Sequence, residues 1–192
     1  MTDFEQKKLT QQERNALRAQ KKEQDRLAKI KAIPESIHGI PVIETEYTSV
    51  PNKRVKALRR EFSQVRKEFL KMLAETQVPA LKQMGLSDKA IEGMAHGKSP
   101  NGFNTHHKIP LAGGGTNVFD NFILIKNEPY HEDIHKIMDP QICVLKDGQK
   151  AVVKLPLPKG NVFIPPAQAE KEQTASKTLP SAVIFQKIQK TR

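Results

Sequence analysis

Residues 103–138 have the sequence FNTHHKIPLAGGGTNVFDNFILIKNEPYHEDIHKIM, which holds four of the six histidines of the chain. FNTHHKI alternates in the manner of a β-strand, and NFILIK is a second short apolar strand that can pair antiparallel with it. PLAGGGTN, between them, is typical of a loop whose backbone can approach a bulky ligand such as a phosphate. PYHEDIHKIMDP predicts a helix that begins near Pro129 and ends before Pro140. The predicted order is strand, glycine loop, strand, helix.

The spacing of the four histidines predicts a metal site. His106 and His107 are neighbours on a strand and therefore point to opposite faces, so they can take different roles at one site. His131 and His135 lie four residues apart and share one face of a helix, which is an ordinary metal-binding spacing. One strand histidine and the helix pair can form a three-histidine site with an open fourth position, which is a catalytic arrangement. The other strand histidine is then free to act as a base.

The same helix also matches the HExxH pattern, with Glu132 where a zinc protease has its general base. The flanking prolines confine the predicted helix to roughly ten residues. No histidine follows His135 to supply a third ligand, and a protease leaves HHKIPLAGGG unexplained. The sequence therefore disfavours a zinc protease.

These elements together resemble the HNH (ββα-metal, His-Me finger) endonuclease motif of DNase colicins, pyocins and bacterial polymorphic toxins. The resemblance covers roughly 35 to 40 of the 192 residues. The elements shared with that family occur in order and are His106-His107, Pro110, Gly113 to Gly115, Asn121, and His131 with His135.

The resemblance implies a ligand set and a reaction. His106, His131 and His135 would bind one divalent ion (Zn, Ni, Mg or Mn). The catalytic residues would be His107, as general base, and Asn121, which would brace the loop against the strands. The implied activity is a metal-dependent, largely sequence-non-specific DNA endonuclease that hydrolyses phosphodiester bonds.

The sequence departs from the bacteriocin pattern near the histidine pair. Asn104 stands where that family has an acidic residue, and GKSPNG stands where it has an arginine. The cation that would contact nucleic-acid phosphates is therefore not carried over. Lys98, Lys108 and Lys126 are the candidates, and nothing in the sequence chooses among them.

The rest of the chain predicts an α+β protein built around this ββα-metal core. An apolar pattern at three- and four-residue steps predicts a helix from Lys53 to about Gln77 with a basic outer face, and Ser87 is placed to cap a short second helix. After the core, two strands around an Asp147-Gly148 turn predict a short C-terminal β-hairpin. The expected divisions are a polar helical arm at 1–33, a linker or edge strand at 34–52, the nuclease domain at 53–165 with its core at about 102–139, and a polar tail at 166–192.

Composition bounds the partners. The net charge of +11 and pI near 9.7 favour a polyanion, nucleic acid first. The single cysteine, Cys143, excludes an intramolecular disulfide and is expected to be a small buried residue. No apolar run is long enough to cross a membrane, and the N-terminus lacks the apolar segment of a signal peptide. We therefore expect a protein that is cytoplasmic as made and has no membrane insertion.

The biological setting has three interpretations. An antibacterial toxin or type VI effector predicts an acidic immunity protein and a carrier or secretion machine that binds the N-terminal arm, with action in a target cell. A phage or mobile-element nuclease would act where it is made. A non-catalytic, zinc-containing nucleic-acid-binding module would need a fourth protein ligand for its metal. His38 and His96, outside the cluster, are expected to be ordinary surface or loop residues.

Overall fold

The computed structural model describes residues 10–166, and over this range the chain is a mixed α+β protein with small antiparallel sheets, as predicted. The helices are α1 (Gln11–Lys31), α2 (Asn52–Thr76), α3 (Val78–Gln83), α4 (Asp88–Ala95) and α5 (Glu132–Ile142). The strands are β1 (Ser36–Ile37), β2 (Ile40–Thr48), β3 (Phe103–His107), β4 (Phe122–Lys126) and β5 (Lys150–Pro156). The predictions for 1–9 and 167–192, the ends of the arm and of the tail, fall outside the described residues.

The two strands predicted in the histidine-rich stretch form an antiparallel hairpin. β3 pairs with β4 in a register that sets His106 opposite Ile123 and His107 opposite Phe122. Because side chains alternate along a strand, Ile123 and His106 share one face of the hairpin, and Phe122 and His107 share the other. This register decides on which side of the hairpin each histidine lies.

Strand β4 is buried on both faces, which explains its unbroken apolar run. Phe122 and Leu124 pack in a cluster with residues of α2, α3 and α4. Ile123 and Ile125 pack in a second cluster with Ile134 of α5. A strand covered on both sides is apolar at every position, rather than at alternate ones. The hairpin is therefore held between α2 on one side and α5 on the other.

Helix α5 is longer than predicted because Pro140 lies inside it and not after it. Proline removes one helical hydrogen bond, and the prediction assumed that this cost would end the helix. The buried Gln141 side chain donates to the carbonyls of Ile137 and Lys154 at 2.9 and 2.8 Å and accepts from the Lys154 amide at 2.8 Å. These bonds fasten the last turn of the helix to β5 and offset the loss.

Two predictions on either side of the core are wrong, and for one reason. Residues 34–52 are not a linker, because they hold β1 and β2, and β2 is the middle strand of the sheet β1-β2-β5 and not an edge strand. The C-terminal β-hairpin does not form either: β5 is its only strand, and it pairs antiparallel with β2 from Val42–Pro156 to Thr48–Lys150. β5 pairs over seven positions with β2, which is distant in sequence, and not with a neighbouring strand across the Asp147-Gly148 turn.

Helices α2 and α4 confirm their predictions. α2 buries Phe69, Leu70 and Leu73 against the core, and Ser87 accepts a hydrogen bond from the Ala90 amide at 3.3 Å as the cap of α4. α1 has no buried residue, as expected of a polar helix, and touches the body where Arg26 donates to the Pro140 carbonyl at 3.4 Å.

Cys143 is exposed, so the prediction that it is buried is wrong. It follows the last turn of α5, where the chain leaves the core.

None of the helices within residues 10–166 has the length and apolar character that crossing a membrane requires.

Candidate metal centre

Three of the four clustered histidines meet between the hairpin and helix α5. One donor nitrogen from each of His106, His131 and His135 lies within 4.8 Å of the other two. His106 comes from β3, while His131 immediately precedes α5 and His135 lies in its first turn. The ring centroids are 4.6 to 5.4 Å apart. These are the three residues that the family resemblance assigns to the metal.

The donors in this cluster fit a cation. His106 is 5% exposed, and its Nε2 is a buried polar atom with no hydrogen-bond partner within the described residues. A buried nitrogen without a partner is costly, and a metal ion would satisfy it. Burial, and then the neighbouring His131 and His135, lower the pKa of His106 to about 3. Burial and His135 lower the pKa of His131 to about 4. Both rings are neutral at pH 7, which is the form that binds a metal.

A carboxylate orients one of the rings. Nδ1 of His135 lies 3.1 Å from Oδ1 of Asp139, one helical turn later, so this ring can donate Nδ1–H and keep Nε2 for a metal. Asp139 was not predicted to have this role, although its four-residue spacing from His135 is a signal for it. Asn104, which departs from the bacteriocin pattern, makes only a long contact of 3.5 Å with Nδ1 of His131.

His107 lies on the opposite face of the hairpin, against helix α2. Its ring packs 4.4 Å from the Phe62 ring and 4.9 Å from the Phe122 ring, centroid to centroid. Nε2 is 3.0 Å from Oδ1 of Asn117. Burial lowers the pKa of His107, a hydrogen bond with Asn117 opposes that shift, and the charge of Arg59 adds to it. A neutral imidazole beside the cluster, but not part of it, has the chemistry of a proton acceptor.

Asn121 makes three hydrogen bonds across the loop between the strands. Its Oδ1 accepts from the Ile109 amide at 2.8 Å, and its Nδ2 donates to the carbonyls of Ile109 and Thr116, each at 3.0 Å. It does not line the cavity at the histidines. Its contacts are those of a bracing residue that holds the two ends of the loop together.

Two of the three glycines of this loop, Gly113 and Gly115, lie against protein atoms. A Cβ on Gly113 would lie 2.1 Å from the Tyr47 ring, and a Cβ on Gly115 would lie 1.9 Å from the Ile109 carbonyl oxygen. Both distances are too short for any side chain. Gly113 and Gly115 therefore let the loop fold back on itself and on β2, which corrects the expectation for these two glycines that they make room for a phosphate. Gly114 has φ +88° and open space at its Cβ position.

A cavity of about 700 Å³ opens beside the three histidines, and residues from both faces of the hairpin line it. His106, His107, His131 and His135 all line it. Arg59, on α2, is the cation that lines it within the described residues. Arg59 belongs to the predicted basic face of α2, and no sequence pattern connects it with the histidines, because only the packing of α2 on the hairpin brings them together.

The three lysines proposed for phosphate binding do not line this cavity. Nζ of Lys108 donates to the Asp120 carbonyl at 2.7 Å, and burial lowers the pKa of Lys108. Lys126 ends β4 opposite Phe103, three positions beyond the pair that holds His106. Lys98 is exposed and precedes β3. Among the described residues Arg59, and none of these lysines, is the cation that lines the cavity.

Other features of the cluster separate the alternatives. Glu132 is exposed and does not line the cavity, so it is not placed as the base of a zinc protease. Within residues 10–166, no fourth His, Cys, Asp or Glu joins the three histidines as a ligand. His38 is half-buried, with Nε2 2.8 Å from Oδ2 of Asp133, and His96 is exposed at the end of α4. Both lie outside the cluster, as expected.

Comparison with known proteins finds a relative without a stated activity. The chain is 34% identical over 140 residues to the uncharacterized protein YhhZ of Escherichia coli (strain K12). The match covers 72% of this chain and 35% of YhhZ, so the chain spans about a third of the length of the curated relative it matches. No protein-family model matches the chain, and no solved structure matches it.

Proposed function

We propose that this protein is a metal-dependent endonuclease of the HNH type, with β3, β4 and α5 as its ββα-metal core. The observation that carries the proposal is the division of the two adjacent histidines. His106 joins His131 and His135 on one face of the hairpin, while His107 lines the same cavity from the other face. A binding site alone would need the first group only. A separate neutral imidazole beside an open three-histidine site supports hydrolysis.

In this proposal His106, His131 and His135 hold a divalent ion, and Asp139 orients His135. When bound, the ion would stabilise the negative charge that develops on the phosphate and on the leaving oxygen. His107 accepts the proton of the attacking water, which it can do near pH 7 because its pKa is lowered and its ring is neutral. Asn121 keeps the loop that follows His107 attached to the hairpin.

Nucleic acid is the proposed substrate because of the basic surface of α2 and the charge of the chain. Arg59 of α2 lines the cavity together with Asp139 and Asp147. Further exposed cations of α2 are Lys53, Arg54, Lys56 and Arg60. Cations of this kind bind phosphates without reading bases. The described residues thus favour a substrate that is recognised by its backbone, in agreement with the net charge of +11. Cleavage should therefore be insensitive to sequence and strongly reduced by salt.

The test is nicking of supercoiled plasmid DNA at low salt by wild type and His107→Ala, each with EDTA, Mg²⁺, Mn²⁺, Ni²⁺ or Zn²⁺. We expect wild type to nick DNA with at least one metal and not with EDTA. His107→Ala should lose nicking and still bind that metal in a chelator-competition titration. Glu132→Gln is the matched control, because it alters the same HExxH stretch outside the cavity.

Each result separates one alternative. Binding of DNA without cleavage under every metal would overturn the nuclease and favour the zinc-containing binding module. Retained nicking in His107→Ala would overturn the assignment of the base. A casein digest that fails in Glu132→Gln would instead support the protease.

We propose the toxin setting as the first to test, with an acidic immunity protein as partner, because a non-specific DNase endangers the cell that makes it. Expression of wild type in Escherichia coli cytoplasm should reduce viability, and His107→Ala should not. Co-expression of an acidic protein encoded beside the gene should restore growth. No toxicity of an active nuclease would favour the phage or mobile-element setting.

A further inference from the structure

We propose that Asn117 is a positioning residue that fixes the tautomer of His107 and attaches this histidine to helix α2. The proposal deepens the nuclease hypothesis and rests on it for the catalytic consequence. The geometry on which it is built does not depend on that hypothesis. No motif pointed to Asn117, which lies in the loop after the glycines.

The orientation of the Asn117 amide is determined by its two partners. Nδ2 donates to the Leu58 carbonyl of α2 at 2.9 Å, and Oδ1 lies 3.0 Å from Nε2 of His107. The reversed amide would set Oδ1 against the Leu58 carbonyl oxygen, where two acceptors repel each other. Oδ1 therefore faces His107, and it can only accept a hydrogen bond.

An acceptor opposite Nε2 selects one form of the neutral ring. His107 must carry its proton on Nε2 to donate to Asn117, which leaves Nδ1 as the unprotonated nitrogen. Nδ1 makes no hydrogen bond within residues 10–166. It is therefore the ring nitrogen left to accept a proton from water, and His107 lines the cavity.

The ring has little freedom to present the other nitrogen. Phe62 and Phe122 pack against it at 4.4 and 4.9 Å, with interplanar angles of 54° and 87°. A turn of the ring within this aromatic cage would break the bond to Asn117. Packing thus restricts the rotamer, and Asn117 supplies the polar contact that distinguishes the two nitrogens.

The bond to Leu58 connects the base to the cation of the cavity. Leu58 precedes Arg59, so the same turn of α2 holds Asn117 through its backbone and bears the guanidinium that lines the site. α2 therefore positions both the group that would accept a proton and the group that would contact a phosphate. The Asn117 amide, which lies between the loop and α2, therefore fixes the position of His107 relative to Arg59.

The experiment is long-range ¹H–¹⁵N NMR of the full chain, labelled at histidine nitrogens and recorded at pH 8, where His107 is neutral because its pKa is lowered. Wild type, Asn117→Ala and Asn117→Asp are compared, and the His107 signals are assigned by their loss in His107→Gln. The matched control is Asn161→Ala, since Asn161 also donates from a loop to backbone carbonyls, at Phe119 and Phe122, but does not touch His107. Steady-state cleavage of an oligonucleotide duplex is measured in parallel.

We expect His107 to be the Nε2–H tautomer in wild type, in Asn117→Asp and in Asn161→Ala, and a mixture in Asn117→Ala. Asn117→Asp keeps the acceptor for His107 but loses the donor to the Leu58 carbonyl, so it tests the two contacts separately and should retain more activity than Asn117→Ala. In Asn117→Ala kcat should fall about tenfold with KM within about twofold, which is less than the roughly 10²–10⁴-fold that a general base contributes.

An Nδ1–H tautomer in wild type, or an unchanged tautomer in a folded Asn117→Ala, would overturn the proposal. If Asn117→Ala does not fold, the wild-type and Asn117→Asp spectra still decide it, because both must show Nε2–H. If wild type cuts no DNA, the nuclease hypothesis fails, while the NMR result continues to decide the role of Asn117.

Discussion

The two faces of the β3–β4 hairpin hold adjacent histidines in unlike surroundings. On the α5 face, His106 is buried beside His131 and His135, and its Nε2 has no partner within the described residues. On the α2 face, His107 has a polar partner in Asn117 and two aromatic neighbours. One face concentrates nitrogen donors, and the other isolates a single imidazole. A one-residue step along a strand is thus enough to separate two functions.

The largest difference between the two faces should appear in DNA cleavage and metal binding when either His107 or His106 is replaced by alanine. His107→Ala should reduce DNA cleavage about 10²–10⁴-fold, because it removes the proton acceptor, and should leave the metal affinity unchanged. His106→Ala should abolish both cleavage and binding of one metal per chain. Plasmid nicking and calorimetric metal titration of the two variants measure the difference. Equal loss of metal binding in both variants would mean that the two faces are not separate.

Acid should destabilise the α5 face of the metal-free protein. The pKa of His106 is about 3 in the folded chain, below the ordinary value of 6.5, so the unfolded chain binds the proton first. The free energy of unfolding should be constant above about pH 6.5 and fall as pH drops towards 3, by at most about 1.4 kcal/mol per pH unit from His106. Urea denaturation in EDTA at several pH values measures this slope.

A matched pair of variants assigns that slope. His106→Gln should reduce it and leave the part that comes from His131, whose pKa is also lowered, while His96→Gln, at an exposed histidine, should leave it unchanged. A slope that is the same in His106→Gln as in wild type would show that His106 does not control acid stability.

Removing the carboxylate behind the cluster should have an intermediate effect. Asp139→Ala deprives Nδ1 of His135 of its partner at 3.1 Å, so the metal affinity should fall about 10- to 100-fold. The tautomer of His107 should not change, since Asp139 lies on the other face. Competition with a chromophoric chelator gives the affinity. An affinity equal to that of wild type would show that Asp139 does not orient His135 for a metal.

The weakest response should follow loss of the cation in the cavity. Arg59→Ala should weaken DNA binding by about tenfold at low salt and reduce the salt slope of log K by about one, as expected for one lost phosphate contact. Lys126→Ala is the control, because Lys126 does not line the cavity. Fluorescence anisotropy with a labelled duplex in EDTA measures both. An effect of Lys126→Ala as large as that of Arg59→Ala would contradict the choice of Arg59 over the lysines as the phosphate-binding cation.

The local structure of the site follows from the sequence alone. Alternation in FNTHHKI and NFILIK, the cap at Ser87 and the four-residue spacing of His131 and His135 depend on contacts between near neighbours, which a short stretch specifies. The opposite directions of His106 and His107 follow from strand geometry alone. Sequence spacing is therefore sufficient to place one strand histidine and the helix pair in one cluster, while the choice of His106 over His107 came from the resemblance to HNH nucleases.

The surroundings of those histidines depend on tertiary packing. Arg59 and Asn117 reach the site through the packing of α2 on the hairpin, 48 and 10 residues from His107 in the chain. β2 and β5 pair although more than a hundred residues separate them in the chain. This pairing forms in place of the C-terminal hairpin predicted from the Asp147-Gly148 turn and of the linker predicted at 34–52. The bonds of Gln141 carried α5 past Pro140. Long-range burial and hydrogen bonding outweigh local preference because each buried polar group must find a partner wherever the fold provides one.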